Sequence, residues 1–157
     1  MDTEERLERY RQADRWPTEE SLAAMLDAQQ AAFSAVRQAL PRLTEAVRGA
    51  AARLRGGGRL VYVGAGASGR IAVQDGVELW PTFGWPNERL IYLIAGGTAA
   101  LTQSREGAED DRPGAEALVA EHRLGPSDVV LAVAASGTTA FTRGAVSAAR
   151  SRGALTV

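Results

Sequence analysis

Residues 60–84 read LVYVGAGASGRIAVQDGVELWPTFG. The run 59–63 is short and rich in β-formers, and it ends in glycine as a buried parallel strand does. A loop of small residues follows, and a helix is expected from about Ser68. A strand, a glycine loop and a helix in that order open a βαβ unit, which makes the fold class α/β. The loop G-A-G-A-S-G also spells G-x-G-x-x-G, so the same stretch raises a question of ligand.

The pattern repeats outward. Residues 90–94, LIYLI, form a second expected strand closed by Gly96-Gly97. Residues 128–133, DVVLAV, form a third, followed by a loop and a helix, and residues 154–157 begin a fourth. Helical stretches are expected around 99–105 and 115–122. Pro81 and the Gly84-Trp85-Pro86 cluster are expected to break the helix after the first strand. The whole predicts a three-layer αβα sandwich with a parallel sheet.

Upstream, residues 1–17 are polar and read as an arm or short helix. Thr18 fits an N-cap with carboxylates after it. Leu22, Met25, Leu26, Phe33, Val36 and Leu40 recur at helical spacing. Pro41 is expected to start a second helix that stops at Gly56-Gly57-Gly58. The domain reading is therefore 1–55 for the N-terminal arm and helices, packing on the domain, and 56–157 for the α/β domain. The closing residues, RGALTV, resemble the opening of a buried strand, so a chain truncated at its C-terminus is expected.

Composition removes several function classes. The 157 residues carry a formal net charge of −1, and all 18 basic residues are arginine. That gives no basic footprint for nucleic acid. Without lysine, a Walker-type phosphate lysine and a Schiff base are ruled out within the chain. Without cysteine, disulfides and thiolate chemistry are too. The charged N-terminus has no apolar signal-peptide core and no run approaches membrane-spanning length, so a cytoplasmic location is expected.

Ligands on parallel sheets bind at the carboxyl ends of the strands. A dinucleotide would need an acidic residue after the second strand, and Ile94-Ala95-Gly96-Gly97 supplies none. A phosphate fits better. Backbone amides at a helix N-terminus favour an anion, with Ser68 adding a hydroxyl and Arg70 a charge. The loop after the third strand, Ser136-Gly137-Thr138-Thr139, repeats that chemistry. The alternative is that both are ordinary turns with Ser and Thr as caps.

Taken in order, GRLVYVGAGASGR, DGVELWPTFG, LIAGG, EGAEDD and DVVLAVAASGTT resemble the sugar isomerase (SIS) domain family, and within it the N-acetylmuramic acid 6-phosphate etherases. The resemblance covers about residues 40–157. It implies a dimerising SIS fold without metal or organic cofactor. It also implies cleavage of the D-lactyl ether of a phosphosugar, giving N-acetylglucosamine 6-phosphate and D-lactate. Family phosphate-binding positions fall on Gly66, Ser68, Gly69, Ser136, Gly137 and Thr139. The general acid/base glutamate matches Glu78, and a second glutamate, associated with water addition, matches Glu109.

Four positions or pairs depart from the family pattern. Ala67 stands for a threonine, and Thr138 and Ala140 for arginine and proline. Gly76-Val77 replace Ala-Ser, and Leu79-Trp80 replace Cys-Pro. Val77, Leu79, Trp80 and Phe83 are expected to desolvate Glu78 and raise its pKa into the working range. By its residues alone, Glu78 would read as a solvated helix-end glutamate, and Glu106, Glu109, Asp110 and Asp111 as a solvated face. Asp75 is expected on a helix surface and His122 exposed. Within the resemblance, a non-catalytic phosphosugar sensor and a sugar-phosphate isomerase are the competing functions. The 157-residue chain alone is expected to be inactive.

Overall fold

A computed structural model describes residues 10–157, which fall into two units, one through Val47 and one from Arg48 to Val157. In the first, a 3-10 turn at Ala13–Arg15 precedes α1 (Thr18–Arg55). The Ser21 hydroxyl donates to the Ala13 carbonyl at 3.3 Å. α1 is one unbroken helix of 38 residues, not two, and Pro41 lies inside it. Proline's fixed φ suits a helix, so the cost is one lost amide donor and local crowding. Thr44 donates its hydroxyl to the Leu40 carbonyl beside the proline at 2.8 Å. The stripe Leu22, Met25, Leu26, Phe33, Val36 and Leu40 stays exposed.

The second unit starts at Arg48 rather than 56, because the last turns of α1 belong to its core. Ala50 and Leu54 pack on the sheet, and Arg53 Nε donates to the Pro126 carbonyl at 2.9 Å. Arg89 donates to the carbonyls of Leu54 and Gly58, satisfying the end of the helix, and its guanidinium lies 4.4 Å over the Trp85 ring.

The sheet has four parallel strands: β1 (Leu60–Gly64), β2 (Leu90–Ile94), β3 (Val129–Val133) and β4 (Leu155–Thr156). Their spatial order is β2-β1-β3-β4. The helices are α2 (Gly66–Val77), α3 (Leu79–Phe83), α4 (Arg112–Glu121) and α5 (Ala140–Ser151). Strand side chains alternate between two cores, as a strand period of two requires. Val61, Val63, Leu93 and Val130 face Val119 on α4 and Phe141 and Ala145 on α5. Leu60, Tyr62 and Val129 face Ala72 on α2, Leu79 on α3 and the end of α1. That is the three-layer αβα arrangement.

Pro81 interrupts the helix after β1 as expected. It has no amide for the Val77 carbonyl, α2 stops at Val77, and the proline falls in the first turn of the separate α3, where a missing amide costs little. One local expectation changes. The stretch 99–105 forms only a 3-10 turn, Thr98–Leu101, with a second at Ala108–Asp110.

One ion pair closes the edge opposite the strand carboxyl ends. Asp128, buried, accepts from Arg59 Nε at 2.9 Å and Nη2 at 2.8 Å, and from the Gly125 amide at 2.8 Å. Arg59 Nη1 also reaches the carbonyl of His122, which is half-buried rather than exposed. Burial pushes the Asp128 carboxyl up, but the Arg59 and Gly125 hydrogen bonds and the Arg59 charge outweigh it and hold the group below its ordinary range. Its contribution is therefore complete above the unfolded pKa of about 4 and is lost as pH falls through the lower folded value. Asp128→Asn should cost about 3 kcal/mol at pH 7. Urea midpoints should show that gap narrowing at pH 3.

Candidate active site

The sheet order places a switch point between β1 and β3. α2 leaves β1 toward one face, while α5 leaves β3 toward the other. Their loops therefore diverge at the carboxyl ends, the position where parallel sheets bind ligands. Gly64 pairs with Val133 on one side and with Ile94 on the other, so all three loops start at one level of the sheet.

The first loop is shaped by backbone contact. A side chain on Gly64 would begin 2.8 Å from the Gly69 Cα, and one on Gly69 would begin 3.0 Å from the Gly64 carbonyl oxygen. Both glycines are needed for α2 to start directly on β1. Gly69 N–H closes the first turn on the Ala65 carbonyl at 3.1 Å, so the amides of Gly66, Ala67 and Ser68 precede the first intrahelical bond. Ser68, half-buried, lies inside this turn. The cap position is Ala65, which has no side-chain cap bond. The reading of Ser68 as a capping residue is therefore excluded.

In the third loop, Ser136 Oγ accepts from the Thr138 amide at 3.1 Å and from the Thr138 hydroxyl at 2.8 Å. That leaves the Ser136 proton free to donate outward. Thr139 sits at the N-cap of α5 without a side-chain cap bond. Gly137 lines a cavity of about 610 Å³ that runs along α5 toward β4.

The first and second loops share a smaller cavity of about 180 Å³, lined by Gly66, Arg70, Arg105, Glu106 and Glu109 among others. Glu109 is thereby brought beside the first loop. Arg70 Nη1 donates to the Ala100 carbonyl at 3.0 Å, tying the two loops together. Arg105 and Ser104 were not singled out from the sequence; only their position in EGAEDD's approach hinted at them. Among the described residues, no three His, Asp or Glu side chains converge as metal ligands would.

Glu78 lies elsewhere. It joins α2 to α3 and is exposed, as are Val77 at 52%, Trp80 at 57% and Phe83 at 76%. These side chains do not enclose the carboxylate within this chain, contrary to expectation. α2 runs back along the sheet, and twelve residues at 1.5 Å each place Glu78 about 18 Å from Gly66. Nearby, Tyr62 donates its hydroxyl to Asp75, and burial followed by that bond pushes the tyrosine well above its ordinary pKa. Gly76 leaves the space filled by the Tyr92 ring, 2.6 Å from where a side chain would begin.

A family model described as "Glucokinase regulatory protein N-terminal SIS domain" matches residues 42–150. The chain belongs to the SIS-domain family. An N-acetylmuramic acid 6-phosphate etherase of Deinococcus radiodurans is 51% identical over 148 residues, 94% of this chain and 48% of that protein. One of Rubrobacter xylanophilus is 44% identical over 99% of this chain and 52% of its own length. One of Enterococcus faecalis is 38% identical over 100% and 52%. The chain thus spans about half the length of the curated relatives it matches. The structure of phosphoheptose isomerase from Neisseria gonorrhoeae superposes with a TM-score of 0.52 at 20% identity, covering 86% of this chain and 72% of that one. That likeness carries the SIS fold. Among the described residues, no helix of this SIS domain is long and apolar enough to cross a membrane.

The Gly64–Gly69 contact carries a prediction. Gly64→Ala should destabilise the domain by about 1–3 kcal/mol through forced separation of β1 and α2. Inorganic phosphate should then protect the variant less against thermal unfolding than it protects the parent chain.

Proposed function

We propose that this SIS domain is the phosphosugar-binding half of an etherase that cleaves N-acetylmuramic acid 6-phosphate to N-acetylglucosamine 6-phosphate and D-lactate. The observation that carries the reading is the cavity that Glu109 shares with the Gly66 loop, between the loops after β1 and β2 at the carboxyl end of the sheet. The etherase names of relatives 38–51% identical support it.

In this reading the phosphate lies on the free amides of Gly66, Ala67 and Ser68 at the start of α2, with Ser136, Gly137 and Thr139 on the loop after β3. The Gly69 amide is spent on the Ala65 carbonyl, so Gly69 serves the site by its close packing on Gly64. In the open-chain sugar the C2 proton is acidified by the adjacent aldehyde. A carboxylate removes it, the C3–O bond breaks, and the lactyl oxygen leaves with a proton. Water then adds at C3 of the unsaturated aldehyde and a proton returns to C2. Glu78 is the acid/base for elimination, and Glu109 serves the water step. Each transfer is worth about 10²–10⁴-fold.

The 18 Å between Glu78 and the loop of its own chain is too far for proton transfer. The exposed apolar patch around Glu78 points the same way. A second copy covering Val77, Trp80 and Phe83 would bring its Glu78 to this chain's loop and remove water from the carboxylate. The working unit is therefore a homodimer with shared sites. The distance equally favours a binding-only phosphosugar sensor, and lactate release separates the two.

Glu78→Gln and Glu109→Gln, each assayed for D-lactate in the longest polypeptide carrying this domain, should lose about 10²–10⁴-fold. Mixing the two variants should restore about one quarter of wild-type turnover, because half of the two-fold dimers carry one intact site. Phosphosugar binding without lactate would leave the sensor.

A further inference from the structure

Four charged side chains, Arg70, Arg105, Glu106 and Glu109, line the cavity of about 180 Å³ between the loops after β1 and β2. Among the described residues none of the four pairs with another. Arg70 is spent on the Ala100 carbonyl. Glu106 accepts from the Ser104 hydroxyl at 3.4 Å. Among the described residues the Arg105 side chain makes neither an ion pair nor a hydrogen bond; only its backbone carbonyl accepts, from the Ala108 amide at 3.4 Å.

Its stem is nevertheless placed. The Cβ and Cγ of Arg105 lie 3.1 and 3.2 Å from the point where a side chain on Gly96 would begin. The glycine that follows β2 makes the room through which the arginine enters the cavity. A guanidinium held at a cavity wall without a carboxylate partner is set up for an anion that arrives with the ligand, and its planar fork suits a carboxylate bidentately.

The phosphate already has its donors at the switch point. On the phosphosugar reading, on which this inference rests, the substrate has one further anion: the carboxylate of the ether-linked lactyl group. That group is bonded to C3, the carbon at which water adds, so its carboxylate and the Glu109 step belong to one neighbourhood.

We propose that Arg105 is a specificity-determining residue that receives the lactyl carboxylate and so distinguishes the ether-bearing sugar from its cleaved product. Arg105 holds the lactyl carboxylate through elimination, and Glu109 beside it serves the later addition of water at C3.

The test is calorimetric titration of the longest polypeptide carrying this domain, as the parent chain and as its Arg105→Met and Arg105→Lys variants, with N-acetylmuramic acid 6-phosphate and with N-acetylglucosamine 6-phosphate. D-lactate is measured in the same samples, and thermal melts check folding. The methionine variant should bind the lactyl sugar roughly 10- to 100-fold more weakly and keep its affinity for the lactate-free sugar, with lysine recovering part of the loss. Equal weakening toward both sugars would assign Arg105 to the phosphate or to loop structure and overturn the proposal. No change toward either sugar would also overturn it. If the parent chain binds neither sugar, the phosphosugar reading itself falls, and the Arg105 assignment with it.

Discussion

The backbone of α2 rests on the end of β1 with nothing between Gly64 and Gly69. That contact sets the position of three free amides, the axis of α2 and the place of everything α2 carries. β1 is central and buried on both faces, so it cannot shift to accommodate a larger residue. The glycines of G-A-G-A-S-G are thus packing residues first. The proposed anion site is what such packing leaves exposed at the helix start.

The same geometry separates the chemistry of the chain into two places. Glu109 lies at the strand carboxyl ends with the Gly66 loop. Glu78 lies at the far end of α2, in an exposed apolar setting with Trp80 and Phe83. A helix rises only 1.5 Å per residue and does not bend back, so one chain cannot bring both to one sugar. The proposed homodimer would reconcile them, and it would also cover the apolar surface around Glu78. Beneath α2, the Tyr62–Asp75 bond and the Tyr92 ring under Gly76 fix the helix face on which Glu78 depends.

Much of this architecture was legible in the chain. β2 matches its predicted span, and β1 and β3 differ by a single residue at one or both ends, because short apolar runs bounded by glycine admit few other readings. Pro41 misled: its fixed φ fits a helix as well as a helix start, and only the fold shows that the helix continues. Ser68 looked like a cap and lies within the turn instead. Arg105 was silent because a lone arginine before an acidic run reads as solvated surface.

By itself, the sequence determined the α/β class, the loops at the strand carboxyl ends and the family, since these follow from periodicity, glycine placement and local motifs. Only the tertiary structure decided which loops share a cavity and which charges go unpaired. It also decided that Glu78 and its apolar neighbours Val77, Trp80 and Phe83 stand exposed instead of enclosed. Such facts depend on strand order and helix direction, and residues adjacent in a motif carry no record of either.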